Sequence, residues 1–140
     1  MLNVNNHVDM SMVRLKHDIR SSLRTKFITY RCVNAPLCVP SVYRRSDIVI
    51  PERLRVVFSR MRLSSHNLRI ETGRWSRLAR QDRLCGCGEI QDEKHVLCDC
   101  PMTQHLRNRY IKPVLFPDIL NDVSDVCDYQ FVFDVLDFFT

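Results

Sequence analysis

Residues 83–101 read Arg83-Leu84-Cys85-Gly86-Cys87-Gly88-Glu89-Ile90-Gln91-Asp92-Glu93-Lys94-His95-Val96-Leu97-Cys98-Asp99-Cys100-Pro101, and they hold four of the seven cysteines and one of the five histidines. A tetrahedral zinc site needs four sulfur or nitrogen ligands converging on one point. Cys85 and Cys87 can supply two of them from a tight turn, with Gly86 and Gly88 giving the positive-φ freedom such a turn demands. Asp92 suits a helix N-cap and Glu93 the first turn after it, which puts His95 in that turn. Pro101 requires the helix to stop or restart after Cys100. The pattern Cys-x-Cys-x7-His-x4-Cys thus points to one Zn2+ held by Cys85, Cys87, His95 and Cys100. Cys98 is the alternate fourth ligand: on a continuous helix it shares a face with His95. Cys100 reaches the same ion only if the helix ends first, and spacing does not choose between them. The competing reading is of small buried thiols, but so dense a set of cysteine and histidine favours metal.

Working outward, the chain of 140 residues is long enough for one domain with a modest core, and its composition is that of a globular protein. The mostly α pattern predicts a small helical domain with a single zinc-stabilised turn–helix unit. It divides into 1–50, an amphipathic helix and an irregular linker; 51–112, arginine-rich helices with the zinc unit; and 113–140, an acidic, Phe-rich helix. No basic, apolar leader opens the chain and no run of about 18 apolar residues occurs, so the expectation is an intracellular protein, nuclear or cytoplasmic, without a membrane span. Seven cysteines without a signal peptide fit reduced thiols and metal better than a disulfide framework.

Charge is unevenly placed. Residues 1–83 carry 17 Lys/Arg against six Asp/Glu, and residues 84–140 carry four against ten. A basic front and an acidic tail suggest a surface that faces a polyanion. A helix over 10–31 follows from Met12, Leu15, Ile19, Leu23, Phe27 and Tyr30. Residues 32–50 read as irregular because Pro36 and Pro40 break a helix, with Cys32 and Cys38 as buried free thiols and Tyr43-Arg44-Arg45 as a basic-aromatic cluster. Pro51 opens a second helix with an inner stripe of Leu54, Phe58 and Met61. Ser64-Ser65 caps a short helix from His66 to Thr72 that Gly73 stops. Arg60, Arg62, Arg69, Arg74, Arg77, Arg80 and Arg83 then lead into the cysteine turn with Trp75 among them. Guanidinium groups grip phosphates bidentately and an indole can stack on a base, so these residues are the candidate RNA or DNA surface, contacting mainly backbone phosphates. The bland reading keeps Trp75 in the core and only the arginines in water. Pro101 opens a further helix with Leu106 and Tyr110 inward, Met102 beside them, and Pro113 as its end; His105 is a surface histidine. Val123, Val126, Cys127, Phe131, Val135 and Phe138 fit a last helix, in a tail that carries Asp122 and five more aspartates and either closes the core or docks on another protein.

The segments "IPERLRVVFSRMRLSSHNLRIETGRW", "RLCGCGEIQDEKHVLCDCP" and "LRNRY" together resemble the region that follows the polymerase domain in non-LTR (LINE-type) retrotransposon reverse transcriptases. There an arginine-rich Arg-x-Arg-Leu-x-Ser-x-x-Leu segment leads to a CCHC zinc-binding unit ending in Cys-Pro. The resemblance implies ligands at Cys85, Cys87, His95 and Cys100, a nucleic-acid-handling role, and docking to a polymerase domain absent from this chain. The first ligand pair has one intervening residue where two are common, and Cys98 stands where an aliphatic residue is usual. The polymerase itself is not implied: the family's Tyr-x-Asp-Asp loop is missing, and no Asp-Asp pair occurs here. The expectation is therefore a non-enzymatic module. Two alternatives are a structural or protein-interaction fragment and a metal-dependent nuclease built on Asp92-Glu93-Lys94 with Asp47 or Glu52.

Overall fold

Serine side chains decide the first break in the chain. The computed structural model describes residues 4–35, 37, 43, 46–110, 115–121, 123 and 125–140. Within it the single helix expected over 10–31 is two: α1, Val4–Ser21, and α2, Thr25–Val33. Ser21 Oγ donates to the His17 carbonyl and Ser22 Oγ accepts from the Arg24 amide, so hydroxyls compete for the backbone where the stripe predicts continuity. Arg24 is extended. Met12, Leu15 and Leu23 of the expected inner stripe are exposed, and Val33 at the end of α2 is what enters the core. Cys32, expected to be buried, is exposed. Pro36, Cys38, Pro40, Arg44, Arg45, Pro113 and Asp122 lie outside the described residues.

The helix α3, Glu52–Arg62, begins after Pro51 as N-cap and buries Leu54, Phe58 and Met61, as the stripe predicts. A short helix follows, α4, but it spans Arg69–Trp75 and not His66–Thr72. The shift has a local cause. His66 Nδ1 accepts from the Leu68 amide, which takes the ring out of any helical turn. The first donors of α4 are met by Gln91 instead, its side-chain oxygen accepting from Arg69 N at 2.8 Å and its carbonyl from Ile70 N at 3.1 Å. Gly73 lies inside α4 rather than at its end. The end is a Schellman motif, with Leu78 N donating to Gly73 O and Arg77 N to Arg74 O, and Arg77 takes the left-handed position at φ 57°.

The Cys-Gly turn follows, closed by an isolated antiparallel bridge between Leu84 and Ile90; no longer strand forms among the described residues. Pro101–Thr103 makes one tight turn that runs into α5, Gln104–Tyr110, with Leu106 inward but Met102 exposed. The last helix, α6, Val126–Phe138, starts on a capping box between Asp125 and Asp128. It closes the core: Tyr129, Phe131, Val132, Val135 and Leu136 are buried, whereas Val126, Cys127 and Phe138 of the predicted stripe are exposed. Phe58 of α3 lies 4.6 Å from the Tyr129 ring and Tyr110 of α5 lies 5.5 Å from Phe131. Helices α3, α5 and α6 thus share one hydrophobic core. No helix among the described residues is long and apolar enough to cross a membrane.

One charged side chain is part of that core. Arg62 is 1% exposed. Its Nη1 donates to the Leu120 carbonyl and to Asn121 Oδ1, and Asn121 in turn donates to the Val33 carbonyl at 2.8 Å. The guanidinium therefore ties α2, α3 and the segment before α6 together, which removes Arg62 from the candidate nucleic-acid surface.

Candidate metal centre and the arginine surface beside it

Four side chains converge: the Sγ atoms of Cys85, Cys87 and Cys100 and a ring nitrogen of His95 all lie within 4.8 Å of one another. Cys85 Sγ is 3.7 Å from Cys100 Sγ, Cys100 Sγ is 4.0 Å from Cys87 Sγ, and His95 Nε2 is 3.1 Å from Cys87 Sγ. They can hold one metal ion. Cys85 and Cys100 are buried and Cys87 is half-buried, so an ion here is largely screened from water. The turn that presents the first two ligands has Cys85 N donating to Glu89 O and Gly88 N to Cys85 O, and it requires Gly88 at φ 98°.

The other two ligands are set by a change of helical register. Asp92 Oδ1 caps the segment by accepting from His95 N at 2.9 Å, as expected of an N-cap. From His95 to Asp99 the backbone opens into a single π turn, and Cys100 N donates to the His95 carbonyl at 2.7 Å. In an α-turn the residue returning above His95 would be 98 or 99; the wider turn brings back residue 100. Cys98 is not in the cluster, and burial pushes its thiol up to about 11. At Cys85 burial also opposes ionisation, but hydrogen bonds from the Cys87 backbone and the His95 and Gln91 side chains outweigh it and pull the thiol down to about 7. Cys100 is pushed up to about 11 by burial and by Cys85 beside it. Loading a metal would displace protons from such thiols.

Around the ligands lies a shell that spacing did not reveal. Arg107, buried on α5, donates to the Cys100 carbonyl and to Thr103 Oγ1, and Thr103 Oγ1 donates to the Val96 carbonyl at 2.8 Å. These bonds take up backbone acceptors left over where the π turn ends. Glu93 Oε1 accepts from Ser64 Oγ at 2.6 Å and from His66 Nε2 at 2.9 Å, and this buried trio fastens the α3–α4 loop to the metal segment. Burial raises the Glu93 carboxyl, but the bonds from His66 and Ser64 outweigh it and hold Glu93 below the ordinary glutamate value. Of the residues considered for a nuclease, Glu93 is in the trio, Asp92 pairs with Arg80, Lys94 pairs with Asp99, and Glu52 pairs with Arg55 on α3. Gly73 marks a close approach rather than a helix stop: a Cβ there would lie 2.6 Å from Arg83 Cγ.

The seven candidate arginines sort into three groups. Arg62 and Arg83 are buried; Arg83 donates to the carbonyls of Ile70 and Leu78 and pins the end of α4 to the turn. Arg74 and Arg80 are exposed but paired, with Glu71 at 2.9 Å and Asp92 at 3.1 Å. Arg60, Arg69 and Arg77 are exposed and their side chains have no ion pair among the described residues. Trp75 is 62% exposed, against the reading that kept it in the core. Arg69, Thr72 and Gly73 of α4, with the C-cap Ser76, front Gly86 and Met102 across a groove of about 440 Å³. Asn67 joins this groove to a smaller one that Arg60 lines.

Comparison with protein-family models, curated proteins and solved structures finds no match to this chain.

Proposed function

We propose that this chain is a zinc-stabilised nucleic-acid-binding module of the kind that follows the polymerase in non-LTR retrotransposon reverse transcriptases, acting without catalysis of its own. The convergence of Cys85, Cys87, His95 and Cys100 carries the metal half of this reading. With Zn–S bonds of 2.3 Å, a tetrahedron has sulfur–sulfur edges of about 3.8 Å, and the edges at 3.7 and 4.0 Å fit that size. Three thiolates and an imidazole are also a donor set that suits zinc over the hard cations. Zinc in such a site contributes folding free energy directly, and the four ligands hold the turn onto which Arg83 and Gln91 fix α4.

The nucleic-acid half rests on the exposed guanidiniums on and around α4. Arg60, Arg69 and Arg77, without an ion pair among the described residues, supply sequence-independent attraction, and Arg74 and Arg80 can add to it by exchanging partners. Arg77 supports the reading separately. A non-glycine residue at the left-handed end of a helix costs about 1 kcal/mol relative to glycine, so its side chain is retained at a cost in stability.

The test is binding of RNA and DNA oligonucleotides across salt by zinc-loaded protein. Three contacts on a single strand give roughly a 20-fold loss of affinity between 50 and 200 mM salt, and five give roughly 100-fold. Arg77→Gly should keep or raise the melting temperature while flattening that slope by about 0.7. A protein that melts normally, carries zinc and binds neither polymer at 50 mM salt refutes the nucleic-acid half and leaves a metal-stabilised interaction fragment.

A further inference from the structure

We infer that Met102 is a movable cover on one edge of the metal centre, and that the groove beside α4 is the approach by which small anionic chelators reach that edge. This inference rests on the metal half of the reading above and adds which residues control access to the ion.

Met102 sits two residues after the last ligand, in the tight turn Pro101–Thr103. Its backbone amide donates to Cys100 Sγ. Its own sulfur lies 4.0 Å from Cys85 Sγ. The same side chain lies over Gly86, where a Cβ would come within 3.1 Å of Met102 Sδ and 3.3 Å of Cε. One side chain thus covers the Cys85–Gly86 edge of the cluster, and the lack of a Cβ at residue 86 lets it lie that close. The sequence placed Met102 beside the inward Leu106 and Tyr110, yet it is 39% exposed and lines the groove of about 440 Å³. A thioether on three rotatable bonds, partly in solvent, can swing aside, unlike the fully buried Val96 and Leu97 of the π turn. Apolar side chains of this kind decide what reaches a metal site.

The rest of the groove specifies what comes to that cover. Gln91 lines it too, and its side chain bonds Cys85 while accepting from Arg69 N at 2.8 Å. Arg69 is therefore one residue removed from a ligand sulfur, and its side chain has no ion pair among the described residues. Asn67, Thr72 and Ser76 add hydrogen-bonding groups, and no carboxylate is among the described residues that line the groove. A cleft with a cation and no opposing acid concentrates small anions. A space of this size takes a small molecule. Anions that carry metal-binding groups, such as carboxylate or phenolate chelators, are the ligands it would deliver to Met102.

The test times zinc loss from zinc-loaded full-length protein. One series uses excess pyridylazoresorcinol, an anionic chelator, and a second an uncharged pyridylmethylamine chelator. Loss to the anionic chelator should rise with its concentration. Met102→Ala should speed that loss roughly 10-fold, with zinc stoichiometry and melting curve unchanged, and Met102→Leu, which keeps the volume, should stay near wild type. Arg69→Ala should slow loss to the anionic chelator roughly 2- to 10-fold and leave loss to the uncharged one as it was. Equal rates for wild type and Met102→Ala would place the exchange at the half-buried Cys87 and overturn the cover. Met102→Leu as fast as Met102→Ala overturns it as well, since cover by volume is the claim. An effect of Arg69→Ala that ignores chelator charge overturns the groove as the approach. A chain that folds but takes up no zinc overturns the metal reading itself, a result distinct from all of these.

Discussion

Replacing Gly73 with alanine isolates one contact on which the placement of α4 depends. On intrinsic grounds the change is favourable, since alanine inside a helix is worth about 1 kcal/mol over glycine. Space reverses the sign. A Cβ at residue 73 would lie 2.6 Å from Arg83 Cγ and 3.0 Å from Cδ. Arg83 cannot swing aside freely, because its guanidinium donates to Ile70 O and Leu78 O at 2.8 Å each. Overpacking of this kind costs about 1–3 kcal/mol, and a hydrogen bond from a charged group is worth about 1.5–3 kcal/mol if it is lost. Subtracting the propensity gain leaves Gly73→Ala destabilised by about 2 kcal/mol. In an Arg83→Ala background the obstacle is absent, and the same substitution should stabilise by up to about 1 kcal/mol. Urea unfolding of the four proteins, all zinc-saturated, gives the cycle. A destabilisation of equal size in both backgrounds would show that the cost of Gly73→Ala has nothing to do with Arg83.

Two further perturbations bear on the metal segment. Cys100→Ser should lose stoichiometric zinc by metal analysis, whereas Cys98→Ser should retain it and shift stability by less than about 1.5 kcal/mol; zinc lost from both variants alike would contradict the π-turn register. Glu93 titrates below its unfolded value of about 4.3, so it contributes stability that is complete above that pH and disappears as pH falls through its lowered folded value. Glu93→Gln should accordingly be less stable than wild type near neutrality and converge with it in acid, with metal content followed throughout; a constant gap across pH would assign the effect to lost hydrogen bonds alone.

The metal ligands were legible because their chemistry is local. Two thiols on a glycine turn and a histidine after an aspartate cap need only short-range geometry, and the aliphatic stripe of α3 needs only helical period. Arg62 and Arg83 read as surface cations for an equally clear reason: what buries a guanidinium is a set of carbonyls facing it, and those at Leu120, Ile70 and Leu78 are placed by tertiary structure. The choice of Cys100 over Cys98 turned on one extra residue in a helical turn, which periodicity cannot register. Gly73 looked like a stop signal because glycine serves both ends and close approaches, and here the approach of Arg83 decides. The break after Ser21 depended on hydroxyl bonding that competes with an otherwise unbroken apolar repeat.

Cys100 has its sulfur in the ligand cluster and its carbonyl in the grip of Arg107, so one residue reports to two neighbourhoods. An event at the sulfur is felt along the peptide plane, and from there along α5, whose Leu106 and Tyr110 pack toward α6. Metal occupancy should thus be audible far from the metal: amide protons on α5, none of them within a ligand, would exchange with deuterium on a clock set by zinc concentration.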